Sequence, residues 1–372
     1  MKIALVHDYI KEYGGAERVL EALHEIWPEA PVYTTVYLPQ FLGPHKDRFK
    51  GWDIRTSRFQ NFPYIYKLIS PLRLLAPWYF DNLDLREFDV IVTSATGAYF
   101  PNLIVRPAGS LHICYCHTPP RYLYGYPTAR NWQNSVLGRF AAGFFNHFLR
   151  QWDFIAAQRP DYFVANSHEV KRRIEKYYRR EATVIYPPVD IKKQETRNKK
   201  QETRKKYYLA GGRLARAKRI DLAIEACNKL SLPLKVFGRG FADYGEELRR
   251  ISGPTIEFLG EVSEDELVAL YQGAKAFIYP AEQEDFGIMP VEAMSAGVPV
   301  IALNQGGVRE TVIDGRTGVF FDGSTVDAVI DAIKKLSKLE IKGEDCIRNA
   351  QRFGKERFKK EMQDFISSKL KI

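Results

Sequence analysis

The sequence has few cysteines, no long apolar run and no obvious metal cluster. Four cysteines in 372 residues are too few and too scattered for a disulfide framework, so a reducing cytoplasm is the expected compartment. No run of 18 apolar residues exists, and the short apolar run near the N-terminus soon meets His7 and Asp8, so neither a membrane span nor a signal peptide is predicted. An Asp-x-Asp cluster and a Ser–His–Asp pattern are also missing, and no metal cofactor is expected.

Positive charge is concentrated in one short segment. The net charge is +10, with +5 in residues 1–190, +6 in residues 191–206 and −1 in the remainder. The segment IKKQETRNKKQETRKK repeats KKQETR around Asn198 and lacks apolar periodicity, so we interpret it as a solvated linker. The alternative is an arm that binds a polyanion. Because the excess charge is so localised, no nucleic-acid partner is expected.

Strand and helix patterns alternate on both sides of this linker. Strands are predicted in KIALVHDY, FDVIVTS, LHICYCH, YFVANS and TVIYP before it, and in YYLAGG, LKVFG, TIEFLG, KAFIYP and VPVIAL after it. Helical patterns such as AERVLEALHEIW and IDLAIEACNKL lie between them. This alternation predicts an α/β fold with parallel sheets. The expected domains are residues 1–190 and 207–355, and a last helix at 356–372 is expected to pack back on the first domain.

Glycines and basic side chains follow several predicted strands. Ligands bind beyond the carboxyl ends of parallel strands, where glycine turns and helix N-termini present free amides to anions. The candidate anion-binding positions are Gly14, Gly15, Arg213, Lys218, Gly238, Gly240, Gly306 and Gly307. For Arg213 and Lys218 the alternative is a basic loop without a ligand. His117 ends another strand and is either a ligand contact or a satisfied strand-end residue, whereas Cys114 and Cys116 are expected in the core.

The stretch PAEQEDFGIMPVEAMSAGVPV carries two carboxylates eight residues apart, Glu284 and Glu292, with Gly287 between them. We interpret it as a strand, a loop and a helix that starts near Pro290, which puts Glu284 in the loop and Glu292 in the first helical turn. The alternatives are a solvated loop charge for Glu284 and a partner of the helix dipole for Glu292.

Five motifs in this order resemble those of family 4 retaining glycosyltransferases. EDFGIMPVE matches the family's Glu-x7-Glu signature, and GRLARAK matches its Arg-x4-Lys diphosphate clamp. GGAERV, HTPPRY and GGVRETVIDGRTGVFF resemble its first glycine loop, its His-bearing strand end and the segment after the signature. The resemblance covers essentially the whole chain. It implies a GT-B fold, in which two Rossmann-like domains face each other across a cleft.

The resemblance also implies roles for the signature residues. Glu284 would bind hydroxyls of the donor sugar, and Glu292 would accept hydrogen bonds from the ribose of the nucleotide. Three backbone amides would approach the sugar and the distal phosphate, those of Phe286, Gly287 and Ile288. The nucleobase would lie by two further residues, Glu261 and Val262.

The remaining implied roles concern the diphosphate and the reacting carbon. Arg213 and Lys218 would hold the diphosphate without a metal, and Gly15 would contact it from the other domain. His117 would lie beside the sugar near the reacting carbon, as a catalytic residue together with Glu284. One position departs from the family pattern, because many members have glycine where this chain has Arg219. This departure bears on the shape of the loop and not on the activity.

Donor and acceptor follow from the same resemblance. KRIDLAIEA and HTPPRYLY are most similar to a mannosyltransferase-like branch of bacterial surface polysaccharide assembly, which implies GDP-mannose as donor and a saccharide or lipid-linked saccharide as acceptor. The alternatives are a UDP-sugar donor and a GT-B epimerase or hydrolase that performs no transfer. The stretch Phe62–Phe80 could contact the inner face of the cell membrane; alternatively, it is a core helix pair broken at Pro71 and Pro77.

The linker interpretation predicts the effect of a deletion. Removing one KKQETR copy should leave the donor dissociation constant unchanged, because a solvated spacer makes no contact with the donor. Isothermal titration of the shortened chain, with Lys218→Ala as the control that should weaken binding, checks this. A large rise in the dissociation constant on deletion would identify the segment as a binding arm.

Overall fold

The structure, a computed structural model, describes residues 1–128, 136–191, 206–241 and 243–370; for residues 136–142 only the backbone is described. The linker predicted at 191–206 lies, apart from its two end residues, outside the described residues. The described chain divides into two compact units. The first comprises residues 1–126, 136–188 and 355–370, and the second comprises 127–128, 189–191, 206–241 and 243–354.

The first unit contains a seven-stranded parallel sheet in the order β3-β2-β1-β4-β5-β6-β7. Its strands are β1 (Ile3–His7), β2 (Val32–Thr34), β3 (Ile54–Thr56), β4 (Val90–Ala95), β5 (Leu111–Cys116), β6 (Tyr162–Ala165) and β7 (Ala182–Val184). The central strands are nearly continuous apolar runs and are almost entirely buried, as expected where helices cover both faces of a parallel sheet.

Helices cover both faces of this first sheet. They are α1 (Gly15–Ile26), α2 (Ile65–Leu72), α3 (Ala76–Asp81), α4 (Val136–Gln158), α5 (His168–Tyr178) and α13 (Lys355–Leu370). Alternate residues of β1 point to opposite faces, so Ile3 and Leu5 share a core with α1 and α13, while Ala4 and Val6 share a core with α2, α3 and α4. The C-terminal helix α13 therefore packs within the first unit, through Phe358.

The second unit contains a six-stranded parallel sheet in the order β10-β9-β8-β11-β12-β13. Its strands are β8 (Tyr207–Gly211), β9 (Leu234–Phe237), β10 (Ile256–Gly260), β11 (Ala274–Tyr279), β12 (Val300–Leu303) and β13 (Gly318–Phe321). Its helices are α6 (Ile220–Lys229), α7 (Tyr244–Arg250), α8 (Glu264–Gly273), α9 (Ile288–Ser295), α10 (Val308–Thr311), α11 (Val326–Ser337) and α12 (Gly343–Gln351).

Each sheet has one point where the strand order reverses. In the first unit β1 and β4 are neighbours, and in the second unit β8 and β11 are neighbours, with the chain running outward from both. The loops after two such strands diverge and leave a crevice at the carboxyl edge, where open α/β sheets bind ligands. The loop after β8 carries Arg213 and Lys218, and the loop after β11 carries Glu284 and Gly287.

Two details of the predicted elements are wrong. Helix α9 starts at Ile288, so Pro290 is its third residue and Glu292 is its fifth; Glu292 is not in the first turn, and the helix-dipole interpretation loses its basis there. Pro71 lies inside α2, which ends one residue later at Leu72, so the helix stops just after the proline rather than at it; the missing N–H of Pro71 costs one i→i−4 bond.

Close backbone packing fixes the loop that carries Glu284. The Gly307 amide donates to the Glu284 carbonyl oxygen over 2.7 Å. A Cβ atom added at Gly306 would lie 2.3 Å from that oxygen, and one added at Gly307 would lie 2.3 Å from the Asp285 carbonyl oxygen and 2.6 Å from the Phe286 Cα. The glycine pair before α10 therefore allows two backbone segments to touch, which is a packing role.

This contact predicts the effect of one methyl group. Gly307→Ala should lower the free energy of unfolding of the second unit by about 1–3 kcal/mol, because the clash is with backbone that cannot rotate away. It should also speed hydrogen exchange of the amides between Glu282 and Ile288. Denaturant unfolding and hydrogen exchange measure the two effects. Gly143→Ala, where the new Cβ would meet nothing within 4 Å, is the control; equal behaviour of both variants would contradict the packing role.

Candidate functional site

The loop after β8 turns sharply at a position where the family pattern has glycine. Arg219 adopts the left-handed conformation there, with φ of 49°. This conformation favours glycine, and here the arginine side chain offsets the strain through ion pairs with Asp221 at 3.0 Å and Glu282 at 2.6 Å. The loop keeps its glycine-like geometry, and the departure from the family pattern is accommodated locally.

The loops after β8 and β11 meet through a cluster of three polar side chains. The Lys218 ammonium lies 2.5 Å from a Glu284 carboxylate oxygen and 3.0 Å from the Tyr279 hydroxyl. Tyr279, the last residue of β11, donates to the same Glu284 oxygen over 2.8 Å. Burial first, and then Glu284, raise the pKa of Tyr279 well above its usual value, so the hydroxyl stays protonated and can donate. A backbone hydrogen bond from Glu282 to Ala217 ties the two loops further.

The structure brings two of the predicted site residues, Lys218 and Glu284, into direct contact. Arg213 follows the same strand as Lys218, but its exposed guanidinium lies over the Phe241 ring at 5.9 Å. Glu292 lies half-buried on the second turn of α9, and Glu284 precedes that helix. The two carboxylates of the signature thus occupy different elements, which fits contacts to different parts of a ligand.

Three residues between the glutamates shape the start of α9. The Phe286 side chain is buried against Phe353 at 5.4 Å between ring centroids, so only its backbone can face a ligand. Gly287 has φ of 94°, a conformation that disfavours a side chain, and it directly precedes Ile288, the first residue of α9. The turn therefore points backbone amides out of the helix N-terminus, the arrangement that attracts anions.

A cavity of about 230 Å³ lies at the carboxyl ends of β8, β9 and β10. Its lining includes Leu214, Gly238, Gly240, Phe258 and Gly260. Glycine is required at Gly238, because a Cβ atom there would lie 1.7 Å from the Gly212 carbonyl oxygen. Two predicted site residues, the exposed Glu261 and the half-buried Val262, follow directly after the cavity wall at Gly260. Gly245, Glu246 and Arg249 of α7 complete the lining of the cavity.

In the first unit, hydrogen bonds among the buried side chains of His7, Ser94 and His117 hold His117 at the end of β5. His7 Nδ1 lies 3.1 Å from both the Ser94 carbonyl oxygen and the Ser94 hydroxyl, which in turn lies 2.9 Å from His117 Nε2. A carbonyl oxygen only accepts, so the contact with the Ser94 carbonyl oxygen assigns a proton to His7 Nδ1. A hydrogen bond donated by the Ser94 hydroxyl to His117 Nε2 would place the proton of His117 on Nδ1. Burial, and then His7, lower the pKa of His117 to about 3, so the ring is neutral at pH 7.

The end of β1 contributes a second buried polar group. Asp8 is fully buried and accepts hydrogen bonds from the backbone amides of Thr96 and Tyr99 at 2.6 and 2.9 Å. Burial raises the pKa of Asp8, and these two bonds and His7 act in the opposite direction. Gly15, the predicted diphosphate contact, is the first residue of α1, and Glu17 accepts from the Gly14 amide at 2.9 Å.

Sequence reasoning missed four residues of these clusters: Tyr279, His7, Asp8 and Ser94. The available signal was a polar residue closing an apolar strand, as in IALVHD and VIVTSA. That signal identifies strand ends but not which strands are neighbours.

In the described part of the chain, no helix combines the length and apolar character that a bilayer span requires. Within the same residues no three His, Cys, Asp or Glu side chains converge as a metal site.

Comparison with known proteins identifies the family. The family model described as Glycosyltransferase Family 4 matches residues 13–193, and the model described as Glycosyl transferases group 1 matches residues 192–353. The chain is 26% identical to the alpha-1,3/1,6-mannosyltransferase ALG2 of Kluyveromyces lactis, over 84% of this chain and 71% of that protein.

A further relative is similar in sequence, and a solved structure shares the fold. The GDP-mannose-dependent alpha-(1-6)-phosphatidylinositol monomannoside mannosyltransferase of Mycobacterium tuberculosis is 39% identical over 109 residues, 26% of this chain and 28% of that protein. The structure of Anabaena Alr3699/HepE in complex with UDP and glucose has a TM-score of 0.72 at 20% identity, covering 99% of this chain and 100% of that chain. With both family models matched and two parallel-sheet units present, the chain belongs to glycosyltransferase family 4, as a hexosyltransferase with the GT-B fold and a mannosyltransferase-like sequence.

Proposed function

We propose that this glycosyltransferase transfers mannose from GDP-mannose to a saccharide or lipid-linked saccharide, with retention of configuration and without a metal. The observation that carries the proposal is the Lys218–Tyr279–Glu284 cluster, which lies where the strand order of the second unit reverses and beside the amides at the start of α9. A cation, a carboxylate and free amides are the groups that a diphosphate-linked sugar needs.

The choice of mannose rests on the relatives. The K. lactis and M. tuberculosis proteins are named as mannosyltransferases, and the latter is named as GDP-mannose-dependent. The second candidate is a UDP-sugar donor, because the Anabaena structure contains UDP and glucose. We assign the nucleobase to the cavity beside Gly238 and Gly260, next to the backbone of Glu261 and Val262.

Stabilisation of the leaving diphosphate is the main chemical task. We assign it to Lys218, to Arg213 and to the backbone amides at Gly287 and Ile288. Fixed positive groups at the leaving group stabilise the charge that develops during bond cleavage, and they require no reorganisation when the reaction occurs. Lys218 is paired with the Glu284 carboxylate in the structure, and donor binding would exchange part of that ion pair for a contact between Lys218 and phosphate.

Glu284 is assigned to the sugar and Glu292 to the ribose. Tyr279 is assigned as a positioning residue, because its hydroxyl donates to the Glu284 carboxylate and orients it. For His117 and Gly15 of the first unit, contact with the donor stays a prediction from the family resemblance. A neutral His117 with its proton on Nδ1 suits that role, because it can donate to a sugar hydroxyl without placing a positive charge near an oxocarbenium-like carbon.

The compartment is proposed on the state of the thiols. The four cysteines, Cys114, Cys116, Cys227 and Cys346, are buried thiols outside any disulfide. Cysteines kept as thiols are typical of a reducing compartment, and they support a cytoplasmic enzyme that meets its nucleotide-sugar donor there.

A donor screen tests the proposal. With excess EDTA and a panel of lipid-linked saccharides, GDP release from GDP-mannose should exceed UDP release from UDP-hexoses and should depend on the acceptor. Faster turnover of a UDP-sugar would favour the second candidate. Turnover without an acceptor would indicate an epimerase or hydrolase, and loss of activity in EDTA that manganese restores would refute metal-free transfer.

The two glutamates should respond differently to substitution. Glu292→Ala should weaken GDP binding by about tenfold or more, because GDP retains the ribose that Glu292 is assigned to hold. Glu284→Ala should lower kcat by on the order of 10²-fold, the scale of a polar contact at a reacting group. The same change should leave GDP binding unchanged or tighter, because it removes the carboxylate that competes with phosphate for Lys218.

Calorimetry with GDP and steady-state kinetics measure these effects. Glu340→Ala, an exposed carboxylate of the second unit, is the matched control and should change neither quantity. Weaker GDP binding by Glu284→Ala together with normal binding by Glu292→Ala would reverse the assignment. Normal activity of both variants would remove both residues from the site.

A further inference from the structure

Exposed apolar side chains are concentrated in two segments of the first unit. Among the described residues, eighteen large apolar side chains are exposed, and twelve of them lie in these two segments. Segment one, around α2 and α3, exposes Phe62, Tyr64, Leu68, Leu74, Leu75 and Trp78. Segment two, on α4, exposes Phe144, Phe145, Phe148, Trp152, Phe154 and Ile155. The described residues of the second unit expose only three such side chains, at scattered positions.

The two segments belong to one layer of helices. The inner sides of α2, α3 and α4 pack into a single core on one face of the first sheet, through Leu72, Phe80 and Leu149. The ends of α3 and α4 are joined by an ion pair between Asp81 and Arg159 at 2.7 Å. We call the outer side of this layer the aromatic face. It is much larger than the single exposed apolar residues that are normal on a protein surface.

On α4 the exposed residues form a regular stripe. Phe144, Phe148 and Trp152 are spaced four residues apart and Ile155 follows three residues later, so they share one side of the helix. Leu149 and Ala156 fill the opposite, buried side. The helix is therefore apolar on both sides, and the aromatic outer side is more apolar than folding of the unit requires.

The unpaired exposed charges of segment one are basic. The sequence from Arg58 to Phe80 contains no Asp or Glu, whereas Arg58 and Lys67 are exposed. On α4 the single carboxyl group, Asp153, is buried and accepts from the hydroxyls of Tyr124 and Tyr178. The exposed Asp81 at the end of α3 is paired with Arg159. Aromatic side chains with exposed basic groups and no unpaired exposed carboxylate match the chemistry of an anionic lipid surface.

We propose that the aromatic face docks this enzyme on a bilayer that contains anionic lipids. A second copy of the chain is the other occupant to consider, and the charges disfavour it. A two-fold interface would place this face against itself, so Arg58 and Lys67 would meet like charges, and the carboxylate of Asp81 is already paired with Arg159. Trp78 and Trp152 suit the boundary between headgroups and acyl chains, where tryptophan is enriched. The proposal does not depend on the identity of the donor.

Vesicle binding of the full chain, measured without nucleotide, tests this inference. Co-sedimentation should be stronger with vesicles containing about 30% phosphatidylglycerol than with phosphatidylcholine alone, and salt should weaken it. The double substitution Trp78→Glu with Phe144→Glu should reduce binding at least about tenfold, because two aromatic side chains no longer leave water. These side chains are 65% and 64% exposed, so folding should be retained, which circular dichroism checks.

Two controls separate the possible causes. Ile251→Glu with Ile313→Glu places the same two charges on isolated exposed positions of the second unit and should leave vesicle binding unchanged. Lys67→Glu should reduce binding to anionic vesicles only. The inference is overturned if the wild-type chain binds neither vesicle, if both double variants bind equally, or if the chain is a dimer in sedimentation that the Trp78 and Phe144 changes dissociate. Each test is independent of donor turnover, so a failure here leaves the proposed function standing.

Discussion

The ion pair between Lys218 and Glu284 is the contact on which the candidate donor site depends. It joins residues 66 positions apart in sequence, and it forms because the strand order reverses between β8 and β11 and leaves their loops side by side. Tyr279 completes the contact from the end of β11. A pair that is only partly exposed retains more of its Coulomb attraction than a surface pair, and in the proposed mechanism an incoming phosphate would take over part of the contact with Lys218. The same arrangement thus positions the carboxylate and keeps the cation available.

The carboxyl edge of the first sheet follows a different rule, because its polar groups are buried rather than paired with opposite charges. Ser94 links His7 to His117, and two backbone amides satisfy Asp8. Buried polar groups are costly unless each finds a partner, and these bonds supply partners for Asp8 and for His117 Nε2. Burial and the neighbouring His7 lower the pKa of His117 and keep its ring neutral, so the ring can act as a hydrogen-bond donor rather than as a cation.

The sequence was sufficient for the α/β fold and the glycosyltransferase family, both of which are confirmed, because long apolar strands and ordered motifs are local signals. It was not sufficient for the short strands β2, β3 and β13, whose three or four residues carry little periodicity. Nor could it reveal that Tyr279 contacts Lys218, or that Gly307 packs on the Glu284 loop, because both depend on which strands are neighbours. The start of α9 was misjudged because Pro290 suits several positions in the first turn, and only the left-handed Gly287 fixes the boundary.

The two units differ in what their surfaces leave in contact with water. In the second unit apolar side chains are drawn into the core around its sheet, and the few that remain exposed are isolated. In the first unit the helices that cover one sheet face are apolar on both sides, so the fold is complete while a large aromatic surface still contacts solvent. Folding of the unit cannot account for that surface, since the inner sides of the same helices already fill the core. A lipid surface would bury it without altering the sheet edge that carries His117, and attachment and chemistry would then use different parts of one unit.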